Sequence, residues 1–136
     1  MAEDIQYKTP YCDWETRGYW EGAGRGELVL QRCTACDVVQ HRPRAVCATC
    51  LGDTIEHFVA SGLGTVHTFT ITHQNGVPGF SNAVPYVFAY VDLDEGPRLL
   101  TNVVGCPPEG VTIGMPVKVD FVATDEGLGV PRFVPR

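Results

Sequence analysis

Apolar and polar positions alternate with a period of two over most of the chain, which is the signature of half-buried strands. Runs at Thr65–Thr72, Tyr86–Leu93, Arg98–Val104 and Val117–Ala123, preceded by Phe58-Val59, are rich in β-branched and aromatic residues. Glycine- or proline-bearing breaks separate them. Asp94-Glu95-Gly96-Pro97 and Ile113-Gly114-Met115-Pro116 read as turns between strands. Five strands in about 80 residues without helix signals predict a small closed barrel, and an OB-type barrel matches that size. Gly62 and Gly64 stand where its long first strand would have to bend.

Upstream the pattern changes. Tyr11–Ala23 carries Trp14, Tyr19 and Trp20 among polar residues and runs into Gly22-Ala23-Gly24, so a short helix ending at those glycines is expected. Glu27–Arg32 alternates into a strand, and Val38–Arg42 returns beside it. The predicted architecture is mainly β, with three parts: an N-terminal helical segment over 1–26, a two-stranded ribbon over 27–54 and the barrel over 55–136.

The ribbon carries the strongest chemical signal. Cys33, Cys36, Cys47 and Cys50 form C-x2-C-x10-C-x2-C, two thiolate-bearing turns that a short hairpin can bring together. Four thiolates at tetrahedral corners suit Zn2+ and leave no open coordination position, so the site reads as structural. Two disulfides, a thioredoxin-like redox pair and rubredoxin-type iron compete with zinc for the same residues. Asp37 and Leu51, rather than glycine, follow the two pairs, which weakens the iron reading. Cys12 and Cys106 have no partner at ligand spacing and read as ordinary thiols.

Charge narrows the function classes. The net charge is −6, with six Lys/Arg against seven Asp/Glu in residues 1–50 and four against nine in residues 51–136. An acidic barrel lacks the basic stripe that a nucleic-acid surface needs. No apolar run approaches a membrane span, and the start of the chain lacks a signal-peptide pattern, so a cytoplasmic location is expected. No nucleophile, base and orienting acid fall at recognisable spacing. Arg42 and Arg44, flanking Pro43, are either solvated or a phosphate-binding turn. The 73–85 stretch, with two glycines and two prolines, is a loop long enough to serve binding, with His73 at its start and Phe80 at its centre. Trp14, Tyr19 and Trp20 either close a small core or anchor a partner.

The order of these pieces resembles a known family. Tyr19-Trp20, Leu28–Cys36, His41–Arg44, Cys47–Cys50, Ser61–Val66, Pro85-Tyr86, Asp94–Gly96 and Ile113–Val117 occur in sequence as in the bacterial and archaeal proteins that join a rubredoxin-like zinc ribbon to a C-terminal OB-fold and associate with acyl-CoA thiolases. The resemblance covers roughly residues 11–134. It implies a hetero-oligomeric accessory subunit, not catalytic alone, that stabilises a thiolase-fold enzyme (thiolase, aldolase or acyltransferase) and helps to shape its acyl-CoA channel. Zinc would be structural and acyl-CoA the ligand of the complex, with Arg42 and Arg44 near the nucleotide end, and Phe80 near the acyl end. A single-stranded nucleic-acid binder and a stand-alone acyl-CoA binder, in which His73 would matter, are the alternatives.

Overall fold

A computed structural model describes residues 4–136. One helix, α1 (Arg17–Gly24), precedes eight strands: β1 (Val29–Cys33), β2 (Val39–Gln40), β3 (Ile55–Val59), β4 (Leu63–Thr72), β5 (Tyr86–Leu93), β6 (Arg98–Val103), β7 (Pro116–Ala123) and β8 (Gly129–Pro135). No helix among the described residues is long and apolar enough to cross a membrane.

β1, β2 and β3 form an antiparallel sheet in the order β2-β1-β3, and β4 to β8 close into a barrel in the order β4-β5-β6-β8-β7. Closure is completed where Leu63, Gly64 and Thr65 pair with Lys118, Val117 and Pro116. Gly64 also pairs with Leu93 on the other side, and a Cβ there would lie 2.6 Å from the Asp92 carbonyl oxygen. The backbone of β5 thus crowds Gly64, and only glycine fits there. The barrel order, with third and fifth strands parallel at Val103 and Phe133, is that of an OB-fold.

Two strand assignments change. Phe58-Val59 belongs to β3, which pairs along its whole length with β1, from Val29 opposite Val59 to Cys33 opposite Ile55. It is the third strand of the ribbon sheet, not one of the five strands of the barrel. The fifth barrel strand is instead β8, which pairs with β7 from Val117–Pro135 to Ala123–Gly129. Pro131 and Pro135 make that segment read as a poor strand. Its ladder to β6 is confined to one pair, so the missing N–H groups cost few bonds.

Alternation is clearest in β5 and is interrupted in β4, whose register shifts between Val66 and Thr68. Val87, Ala89, Val91 and Leu93 of β5 point inward and are buried, whereas Phe88 and Tyr90 point outward. One apolar core runs through both parts, with Tyr19, Leu28, Leu30 and Ala60 joined to Val66, Val91, Val117 and Phe133. Helix α1 reaches the barrel by close backbone approach: a Cβ on Gly129 would stand 2.7 Å from the Ala23 carbonyl oxygen, and one on Gly24 would collide with the Gly127 carbonyl. The glycines that the sequence offers as a helix stop thus also let the helix lie against the start of β8.

Candidate metal centre and adjoining cleft

The four predicted cysteines converge, with their sulfurs all within 4.8 Å of one another. Cys33 and Cys50 are 3.6 Å apart, as are Cys36 and Cys47. A tetrahedron with Zn–S bonds of about 2.3 Å has edges of about 3.8 Å, so the donor set fits that ion. Both knuckles are built alike. The Asp37 N–H donates to the Cys33 carbonyl at 2.8 Å and the Leu51 N–H to the Cys47 carbonyl at 3.0 Å, which requires φ of 64° at both residues. Two non-glycine residues therefore adopt the left-handed conformation that such turns need.

The sulfurs also receive backbone donors. Thr49 N–H lies 3.3 Å and Cys50 N–H 3.5 Å from the Cys47 sulfur, and Gly52 N–H lies 3.4 Å from that of Cys50. The N–H groups of Cys50 and Thr49 bring the Cys47 thiol down to about 6. At Cys36 a hydrogen bond from Val38 favours the thiolate, but burial and the neighbouring sulfurs outweigh it and push the thiol up to about 12. Four sulfurs this close cannot all ionise without a cation among them, and a divalent metal removes that conflict. Cys33, Cys36, Cys47 and Cys50 would hold Zn2+ with no position left for a substrate.

A buried glutamine pair sets the loop between the knuckles, and nothing in the sequence singled it out. Gln31 accepts from the Arg44 N–H at 2.9 Å and donates to the Arg44 carbonyl at 2.9 Å. Gln40 donates to the Gln31 side-chain oxygen at 2.8 Å and to the Val46 carbonyl at 3.2 Å, and accepts from the Ala48 N–H at 2.9 Å. The side chains of Arg42 and Arg44 are thereby left exposed on a loop whose backbone is fixed.

That loop forms one wall of a cleft of about 500 Å3 between ribbon, helix and barrel. Trp20, His41, Arg42 and Arg44 line one side, and Phe88, Tyr90, Arg98 and Leu100 the other. Arg98 is held by Asp92 and by contact at 3.2 Å with Nδ1 of His67. Burial, with Arg42 and Arg44 beside it, lowers His41 to about 4, so its ring is neutral at pH 7.

The remaining predicted residues are dispersed. Tyr19 is a core residue, only 6% exposed, and stacks edge-on with Trp20 at 4.8 Å. Trp14 precedes the helix and is 76% exposed. Phe80 folds back on the barrel mouth between Tyr7 and Tyr86, at 6.0 and 5.6 Å, and Gly79 accepts a hydrogen bond from the Gln6 N–H at 2.9 Å. His73 is exposed and does not line the cleft. Arg42 and Arg44 are thus brought together, while His73 and Phe80 lie apart from them. His41, Phe88, Tyr90 and Arg98 were not singled out as binding residues. The outward positions of Phe88 and Tyr90 were available from the alternation in β5, but their position opposite Arg42 was not.

The fold and the cysteine site define a zinc-ribbon/OB-fold protein. Residues 20–56 match the family model for the ChsH2 rubredoxin-like zinc ribbon domain and residues 59–122 that for the ChsH2 C-terminal OB-fold domain. A "DUF35 domain-containing scaffold protein" of Methanocaldococcus jannaschii is 37% identical over 95 residues, covering 69% of this chain and 67% of that protein. The chain belongs to this DUF35 family. A Thermomonospora curvata protein named "Probable enoyl-CoA hydratase alpha subunit" is 41% identical over 129 residues, 93% of this chain, and this chain spans 39% of its length. A solved structure titled "Ltp2-ChsH2(DUF35) aldolase" contains a chain that superposes with a TM-score of 0.82 at 37% identity, covering 93% of this chain and 98% of that one.

Proposed function

We propose that this protein is a non-catalytic accessory subunit that docks on a thiolase-fold enzyme and lines part of its acyl-CoA channel. The observation that carries the reading is the end-to-end match to a chain of a solved aldolase whose title pairs two components. The surface suits docking. Trp14 is exposed, and Phe88, Tyr90 and Leu100 form an apolar patch on β5 and β6, each more than 40% exposed. Aromatic residues of this kind are the usual anchors of protein interfaces. The coordinatively closed cysteine site belongs to the scaffold of that surface and not to the chemistry.

Co-expression with a candidate thiolase-fold protein tests the proposal. A stable hetero-oligomer is expected, with acyl-CoA turnover by the partner that falls when the small subunit is removed. A partner that remains a separate, fully active species in its presence would sink the reading. The relative named as a hydratase subunit favours a second candidate, a hydratase partner. Mass identification of the co-purifying protein separates the two.

A further inference from the structure

Residues 4–10 lie over the barrel as a strap, and the outward row of β5 and β6 continues beneath them. In that row Tyr90 pairs with Leu100 and Phe88 with Asn102. Phe88, Tyr90 and Leu100 are each over 40% exposed, whereas Asn102 is only 8% exposed. Tyr7 covers it: the tyrosine hydroxyl donates to the Asn102 side-chain oxygen at 2.8 Å, and its ring meets Phe80 edge-on. Burial pushes the Tyr7 hydroxyl up to about 12, so it remains a donor at neutral pH. Ile5 is buried as well, at the rim of a hollow it shares with Tyr86 and Val104. The strap is nevertheless held at separate points and belongs to no sheet. Among the described residues, positions 4–10 make one backbone–backbone hydrogen bond with the rest of the chain, from the Gln6 N–H to the Gly79 carbonyl at 2.9 Å. Thr9 adds a side-chain attachment, accepting from the Asp125 N–H at 3.0 Å.

Resting on the accessory-subunit reading above, we infer that residues 4–10 are a releasable cover, which shields the Asn102 and Tyr86 end of the docking face in the free subunit and is displaced when the partner enzyme docks. A segment with so few backbone bonds opens at lower free energy than the laddered strands it covers. Opening also leaves little unsatisfied. Asn102 keeps its hydrogen bond to the Val87 carbonyl at 2.9 Å and loses only the Tyr7 hydroxyl, which a donor on the partner replaces. Phe80 and Tyr86, with ring centroids 5.6 Å apart, then extend the exposed row beyond Phe88. The uncovered surface suits an apolar partner segment carrying one hydrogen-bond donor where the Tyr7 hydroxyl had been. Because only the open form docks, the apparent affinity scales with the fraction of chains whose strap is open. Loosening the strap therefore strengthens docking, whereas a strap that formed part of the contact would have the opposite effect.

Amide hydrogen exchange of the full zinc-loaded chain, alone and in complex with its thiolase-fold partner, tests this. In the free chain the Gln6 N–H should exchange at least tenfold faster than the Val91 N–H in β5, and faster still in Tyr7→Phe. In the complex it should lose its remaining protection. Tyr7→Phe and Thr9→Val each remove one attachment and leave the exposed row intact. Each should tighten partner binding by about twofold or more, the effect of losing one hydrogen bond from the closed form. Lys8→Ala, at an exposed position of the strap, should leave the affinity unchanged. Zinc content and circular dichroism verify the fold of each variant. Retained or increased protection of Gln6 in the complex, or partner binding that is unchanged or weakened in both Tyr7→Phe and Thr9→Val, would overturn the displacement and leave the accessory role standing. Capture of no partner by the wild-type chain overturns the accessory role, and displacement with it. A Gln6 N–H as protected as that of Val91 in the free chain overturns the releasable cover without reference to any partner.

Discussion

At the scale of single residues, the knuckle positions show how a local energetic cost is tolerated. Asp37 and Leu51 both adopt φ of 64°, a conformation that costs an L-residue about 1–2 kcal/mol relative to glycine. Asp37 offsets part of this, because aspartate tolerates the left-handed region and its carboxylate lies 3.8 Å from Arg32. Leu51 has no such compensation and leaves 76% of its surface exposed. Leu51→Gly should therefore stabilise the zinc-loaded protein by about 0.5–1 kcal/mol, after allowing for the greater freedom of glycine in the unfolded chain. Asp37→Gly should gain less. Urea denaturation of both variants checks the order, and a destabilised Leu51→Gly would refute it. The absence of glycine at these two positions was legible in the sequence, but that the turns form regardless was not. Gln31 and Gln40 were less legible still: a glutamine in an alternating strand reads as solvent-facing, and their partners lie between 6 and 13 residues away in the chain.

Elements were legible where their pattern was local. β5 runs over the span predicted for it, and β4, β6 and β7 begin or end within two residues of theirs, because alternation and flanking turns define such strands without reference to the rest of the chain. The pairing of β3 was not readable, since a short strand of mixed burial can join either neighbouring sheet. The end of α1 has a consequence that the sequence understates. Gly24 and Gly129 allow the helix and the start of β8 to touch backbone to backbone. Gly24→Ala should force the two apart and destabilise the protein by about 1–3 kcal/mol, the usual cost of overpacking, although alanine is the better helix former. Gly26→Ala, where a Cβ meets nothing within 4 Å but φ is +79°, measures a different cost, left-handed strain without a clash, which Gly24 does not carry. Thermal denaturation that ranks Gly24→Ala equal to or above the wild type would show that the contact is dispensable.

Across the whole molecule, the ribbon and the barrel are joined by more than a linker. Tyr19, Leu28, Leu30 and Ala60 belong to the same apolar core as Val91, Val117 and Phe133. The Ala60 N–H donates to the Leu28 carbonyl at 2.8 Å where the chain passes from one sheet to the other. Removing the metal should therefore reach beyond the knuckles. Structural zinc contributes folding free energy directly, so a chelator should first raise amide exchange across residues 27–50. Because those residues share their core with the barrel, it should also lower the melting temperature of the barrel itself. Before chelation, tryptophan emission, which reports Trp14 and Trp20 near the helix, should change in the same thermal transition as barrel methyl signals such as those of Val91 and Val117. Two transitions, or a barrel whose melting temperature is unchanged after verified metal loss, would mean that the ribbon is an independent unit. A single transition would instead make the cysteine site a support for the cleft as a whole, since Arg42 and Arg44 stand on the ribbon while Phe88, Tyr90 and Arg98 stand on the barrel. In that case Arg42 and Tyr90 face each other at fixed separation only while all four sulfurs share a metal ion.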